Sequence, residues 1–405
     1  MLRSQIHCPI VERELCTFLC DAWEEGWLNE YSDELFLIKA IEKRLDSFVG
    51  IDQLIGNNLD MQGLFDQGKN INMSLFAPNF CINLSQRLQL LAAVFGADSI
   101  KRFVMDQMSA GKENYSEDTF FEALSEVSVL SYFARRGRWN HAIYEPQAIP
   151  GINKKNPEAK FVGNVICMTT NQEEESDQEI VVNVEVKSPA FPHDSHKEEK
   201  IAIPTALLSE QGRARVSNLC QENNVTYMPP RVWKLRDFIN SAAEKFNEPE
   251  KNEFNLLFIN WSYRDFPTNS FLEAWALLTN EINGIMKYPD YGLKNGISPE
   301  AYRKITAIIV YTESLEGLMF SDFRFVFQRN GAGPRFRMWV LDQNLRQAEW
   351  ANKSNVLFRA TGMNPDRPAS TLALVDFKSN SSDEERAAEA FGTKLVRTII
   401  EYSDR

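Results

Sequence analysis

Residues 179–189 read EIVVNVEVKSP, and the alternation in this stretch decides the fold. A period of two is the signature of a β-strand: Val182, Val184 and Val186 fall on one face, and Asn183, Glu185 and Lys187 on the other. Two period-two segments precede it, HAIYEPQ (141–147) and KFVGNVICMTT (160–170). The acidic run NQEEESDQ (171–178) between the second and third is expected to be a solvated hairpin tip. Upstream of all three, SEDTFFEALSEVSVLSYFARRG (116–137) reads as a long helix, capped by Ser116 and stopped by Gly137.

Downstream, a polar stretch over 189–229 leads into RVWKLRDFINSAAEKFN (231–247). Its spacing of Val232, Leu235, Phe238 and Ala242 predicts an amphipathic helix. NLLFINW (255–261) is then an apolar strand of the kind that pairs in a sheet interior. The order from 116 to 261 is therefore helix, three strands, helix, strand, which is an α/β arrangement.

On either side the pattern changes. Helical spacing dominates the N-terminal region, in VERELCTFLCDAWEEGWL (11–28), SDELFLIKAIEKRLDSFV (32–49) and SQRLQLLAAVFG (85–96), with Ser32 and Ser85 expected as N-caps. Beyond 262 the expectation is a helix at SFLEAWALLTNEINGIM (270–286), strands at KITAIIVYTES (304–314), FRFVFQ (323–328) and FRMWVLD (336–342), and a closing helix near 383–402. These later elements either extend the core sheet or form an appended domain. The expected organisation is a helical N-terminal domain over 1–112, an α/β core over 113–262 and a C-terminal α/β extension over 263–405.

Composition narrows the functional classes. With 405 residues, 43% of them hydrophobic and 25% charged, the chain has the make-up of an ordinary globular protein. Neither a membrane-length apolar window nor a secretory apolar run near the start is evident, so a soluble, cytoplasmic protein is expected, with no membrane partner. Six scattered cysteines without a CxxC pair point to reduced thiols. Cys16 and Cys20, with His7 and Cys8 upstream, could hold a metal, but they are expected to be buried as small apolar residues. A net charge of −12 argues against bulk electrostatic coating of nucleic acid. A local basic cleft is still compatible with that charge.

The candidate chemistry lies on the 179–189 strand. Glu185 and Lys187 project side by side, a carboxylate suited to a hard divalent cation and an ammonium suited to orienting water and offsetting charge on phosphorus. This pair, in the order α-β-β-β-α-β and followed by Ser-Pro, resembles the PD-(D/E)xK nuclease superfamily, the restriction-endonuclease-like fold, over about 150 of the residues.

The resemblance implies a mixed sheet flanked by helices and a metal-dependent phosphodiester hydrolase using Mg2+ or Mn2+ on DNA, with RNA not excluded. It places Glu126, with Glu122 on the same helical face, as the helix carboxylate. Glu158, after Pro157 in NPEAK (156–160), is the first acidic ligand if the register falls there; on Lys160 instead, a cation would replace it. Glu185 and the carbonyl of Val186 would complete the metal ligands, and Lys187 would position the water. Arg135 and Arg136, beside Arg138, and Lys234 and Arg236 are candidate phosphate contacts.

Architecture of this kind resembles restriction or antiviral defence nucleases. The alternative is a degenerate nuclease fold that acts as a nucleic-acid or protein-binding scaffold, as a homo-oligomer or with a partner protein. His193 and His196 are expected to belong to a solvated loop. RNGAGPRFRMW (329–339), with Arg329, Arg335 and Arg337, lacks the form of a nucleotide-binding loop. Neither GxSxG, HExxH nor a Rossmann glycine fingerprint is present, and four histidines in total weigh against histidine-based catalysis.

Overall fold

The computed structural model of the protein describes residues 2–42, 73–109, 117–136, 139–146, 156–168, 175–188, 231–261, 274, 277–279, 284–311 and 336–340. Its centre is a six-stranded mixed sheet in the sequential order β1 (Trp139–Tyr144), β2 (Ala159–Met168), β3 (Glu175–Lys187), β4 (Glu253–Asn260), β5 (Ala307–Tyr311) and β6 (Phe336–Val340). β2 runs antiparallel to both β1 and β3; β3, β4 and β5 run parallel, and β6 returns antiparallel on β5. β5 and β6 thus extend the core sheet.

The two faces of β3 separate two apolar clusters, as its alternation requires. Val182, Val184 and Val186 join Phe254, Leu256 and Phe258 of β4 under a layer of helices from earlier in the chain: α1 (Thr17–Glu24), α2 (Phe36–Glu42), α3 (Met73–Phe95), α4 (Ala97–Asp106) and α5 (Glu117–Arg136). Phe133 of α5 stacks on Phe161 at 5.5 Å and meets Phe258 edge-on at 5.6 Å. These contacts fix the helix on the sheet.

On the opposite face, α6 (Arg231–Lys245) buries Leu235, Phe238, Ile239 and Ala242 against Leu257 and Ile259 of β4 and Ile308 and Val310 of β5. The short helices α7 (Pro289–Lys294) and α8 (Pro299–Lys304) complete that layer. Each opens with proline in its first turn, where a missing N–H costs nothing. The stripe is the predicted one at Leu235, Phe238 and Ala242; the Val232 side chain lies outside the described residues.

Three local expectations are corrected. Ser85 is not an N-cap but lies inside the 23-residue helix α3, its hydroxyl accepting from the Leu19 backbone N–H. The NFCIN stretch before it is helix-compatible, so nothing stops the helix there. Ser32 accepts from the Glu34 backbone N–H and closes a turn, and α2 begins only at Phe36. The acidic segment from Glu175 belongs to β3, paired with β2 out to Met168, so cross-strand bonding overrides its polarity. Ser116, Gly137, 323–328 and 383–402 lie outside the described residues. No described helix is long and apolar enough to cross a membrane.

Candidate functional site

β2 begins at Ala159, opposite Val184, so beyond that point β3 is paired with β4 alone. Glu158 stands at this opening, immediately before β2, and its carbonyl accepts from the Glu145 N–H just past β1. Glu185 lies beside it on β3, fully buried, with the half-buried Lys187 two residues on. The period-two geometry turns both side chains toward α6, as the sequence implies.

Sequence reasoning missed Lys245. It is the last residue of α6, and its side chain is nine-tenths buried. Its Nζ lies 2.9 Å from Glu158 Oε1 and 2.6 Å from Glu185 Oε1. Lys187 Nζ approaches the same Glu185 Oε1 at 2.6 Å. The other oxygen, Glu185 Oε2, is buried without a hydrogen-bond partner among the described residues. The available signal was the helical spacing of Lys245 from Ala242, but a lysine at a helix C-terminus is ordinarily a partner of the helix dipole.

Glu126 approaches from the α5 layer. It is half-buried, with the Tyr144 hydroxyl 3.4 Å from its Oε2. The preceding residue, Ser125, accepts from Asn260 Nδ2 at 2.8 Å and, through its carbonyl, from the Tyr311 hydroxyl at 3.3 Å. These bonds anchor this turn of α5 at the C-terminal ends of β4 and β5. Glu122, one turn earlier, is exposed. Of the two acidic residues on that face, Glu126 is the one brought to the cluster.

The electrostatics follow from three carboxylates sharing two ammonium groups. Burial, then the neighbouring charge of Glu158, pushes Glu185 up to about 7, even though Lys187 and Lys245 pull the other way. Glu126 is raised well above the ordinary carboxylate range by burial, with Glu158 and Glu185 adding to the effect. Burial alone would lower Lys245; Glu158 and Glu185 more than reverse this and hold it above its ordinary value. Glu145, raised by burial and by Glu158, sits at φ 46°, an uncommon backbone conformation for a side-chain-bearing residue.

Of the two candidates for the first acidic position, Glu158 is the one whose carboxylate lies in the cluster; Lys160 pairs with Asn183 one step further along the strands. Val186 points its side chain into the opposite core. Lys234 and Arg236 lie in the early turns of α6, close in sequence to Phe238, which packs edge-on against Trp261 just after β4. Lys234 lies over the Phe238 ring, and Arg236 bonds Asp237 and lies over Trp233.

Arg135 is not brought to the cluster. It is nine residues beyond Glu126, about 13 Å along the helix, at the end of α5 where the Phe133 carbonyl accepts from Trp139 at the start of β1. The Arg136 side chain, Arg138, His193, His196, Arg329, Arg335 and the Arg337 side chain lie outside the described residues. Cys8, Cys16, Cys20 and Cys81 are buried thiols, Cys8 and Cys20 being 3.7 Å apart, and His7 is exposed. Burial raises Cys16 and Cys20 to about 12, which keeps them protonated.

Among the described residues no group of three or more His, Cys, Asp or Glu side chains is disposed as a ready-made metal cage. The two lysines lie between the carboxylates instead. Even so, the donor set fits a hard divalent cation: Glu158 and Glu185 carry oxygen donors, and the buried Glu185 Oε2 has no hydrogen-bond partner among the described residues. No protein-family model, curated protein or solved structure matches this chain.

Proposed function

We propose that the protein is a metal-dependent DNA endonuclease with a restriction-endonuclease-like core. The observation that carries this reading is the convergence of Glu126, Glu158, Glu185 and Lys187 from three separate elements at one edge of a mixed sheet. A chain selected only for packing has little reason to bury so much like charge, because each buried carboxylate costs free energy unless paired. Perturbed carboxylates gathered in this way are a mark of functional sites.

In this reading Glu158, Glu185 and the carbonyl of Val186 hold Mg2+ or Mn2+, which would supply positive charge at the scissile phosphate. Lys187 holds and orients the water that attacks phosphorus, its ammonium kept in place by Glu185 Oε1 at 2.6 Å. Glu126, held protonated by its surroundings, donates a hydrogen bond at the rim of the site. Lys234 and Arg236, on the helix that ends in Lys245, contact phosphates of the duplex in this reading, a local basic strip on an otherwise acidic chain. The resemblance to restriction or antiviral defence nucleases belongs to this same reading.

The direct test is incubation of the purified chain with plasmid and linear DNA, with and without Mg2+ or Mn2+, beside Lys187→Ala. Metal-dependent cutting is expected in the wild type and a loss of at least 100-fold in the variant. Removing a group that acts only in the transition state has effects of roughly that size. Equal cutting by both proteins would remove Lys187 from the mechanism.

One observation favours a second reading, a degenerate nuclease fold acting as a scaffold: the Lys245 ammonium already bridges Glu158 and Glu185. In that case the wild type neither binds Mn2+ nor cuts DNA, and Glu185→Ala leaves its biological activity intact.

A further inference from the structure

We propose that Lys245 is an intramolecular counter-ion occupying the place a divalent cation takes between Glu158 and Glu185, so that the cation enters only as this ammonium leaves. The inference rests on the reading of those two carboxylates as cation ligands.

Lys245 comes from a different layer than either carboxylate and, among the described residues, is the group that touches both, at 2.9 and 2.6 Å. Its ammonium joins residues on two neighbouring strands, as a bridging cation would. Yet it satisfies the pair incompletely. It shares Glu185 Oε1 with Lys187, while Oε2 of the same carboxylate remains buried and without a partner among the described residues. As placed, the Lys245 ammonium contacts one oxygen of Glu185 and not the other.

Charge balance fits this role. With Glu126 protonated, Lys187 and Lys245 offset Glu158 and Glu185 while no cation is bound, which is the state a built-in counter-ion maintains. Lys245 has the reach to withdraw, because it ends α6 and carries its ammonium on a flexible four-carbon stem. The ammonium therefore keeps the buried carboxylates compatible with folding before a cation arrives, at the expense of cation affinity. Arginine would not serve equally well, because its planar fork would lock onto the carboxylates bidentately.

The test uses the full chain without nucleic acid and follows Mn2+ binding through the electron paramagnetic resonance signal of free Mn2+. Lys245→Met is expected to bind Mn2+ at least tenfold more tightly than the wild type, and Glu185→Gln at least tenfold more weakly. Because Lys245→Met leaves buried carboxylates unpaired at a cost to folding, the wild type is also acetylated with and without saturating Mn2+ and mapped by mass spectrometry. Modification of Lys245 is expected to rise several-fold with Mn2+ while other lysines stay unchanged. Mn2+ binding that depends on Glu185 but is no tighter in Lys245→Met, with Lys245 still protected, overturns the displacement proposal and leaves the cation site standing. Absence of Mn2+ binding in the wild type and in Lys245→Met overturns both.

Discussion

Replacing Glu185 by glutamine should stabilise the metal-free protein at pH 8, against the usual expectation for breaking buried ion pairs. Glu185 is fully buried and touches two ammonium groups, so its removal would ordinarily be assigned a cost of about 3–5 kcal/mol. Its carboxyl, however, titrates near 7 where 4.5 is ordinary, because burial and Glu158 outweigh both lysines.

The folded chain therefore holds a proton that the unfolded chain releases above about 4.5. Below that pH both states are protonated and Glu185 contributes nothing to the pH dependence. Between 4.5 and about 7 the folded state binds more protons, so stability falls as pH rises. Above about 7 the full effect is present, and the gap corresponds to about 3 kcal/mol. Glutamine resembles the protonated acid: its amide oxygen can face the lysines, and its NH2 replaces an oxygen that had no partner.

Urea unfolding of both proteins in EDTA, from pH 4.5 to 8, measures the difference curve. It should start near zero and reach at most about 3 kcal/mol in favour of Glu185→Gln. Glu126, also raised, steepens the wild-type slope, which is why the comparison between the two proteins is the informative quantity. A variant less stable than the wild type at pH 8 would refute the reasoning, because the ion pairs would then outweigh burial.

Two further substitutions probe the frame that holds the site. Phe133→Ala removes the ring packed against Phe161, Trp139 and Phe258 and should lower stability by about 3–5 kcal/mol in urea unfolding; a loss under 1 kcal/mol would mean that α5 is held mainly by other contacts. Asn255 donates to the carbonyls of Asn247 and Lys304 at 2.7 Å each and accepts from Asn183 at 2.8 Å, all away from the carboxylates. Asn255→Ala should therefore cost about 3 kcal/mol of stability while leaving Mn2+ affinity unchanged, and altered affinity would show that this network reaches the site.

Local pattern made much of the centre legible. Alternation in β3 placed Val182, Val184 and Val186 against Asn183, Glu185 and Lys187, and the two faces do pack against different helix layers. The spacing of Leu235, Phe238 and Ala242 likewise gave the buried side of α6. Such features depend only on the periods of strand and helix, which a short stretch of sequence carries in full. Helix beginnings were less legible: Ser85 and Ser32 have the chemistry of caps, but capping is decided by competition with the preceding residues and with partners such as the Leu19 N–H.

What tertiary structure alone decided is which charges meet. Whether Glu158 or Lys160 fills the first acidic position depends on where β2 begins against β3, a matter of cross-strand register. The choice of Glu126 over Glu122 depends on how α5 is rotated and anchored through Ser125. Lys245 lies far along the chain from both carboxylates it bridges and has no motif to announce it, because a contact between distant residues is set by the packing of α6 on the sheet. The sequence by itself determined the strand that carries Glu185 and Lys187 and the faces that bury; the fold decided which carboxylates and ammonium groups share one buried space, since Coulomb interactions act through distance in three dimensions and not along the chain.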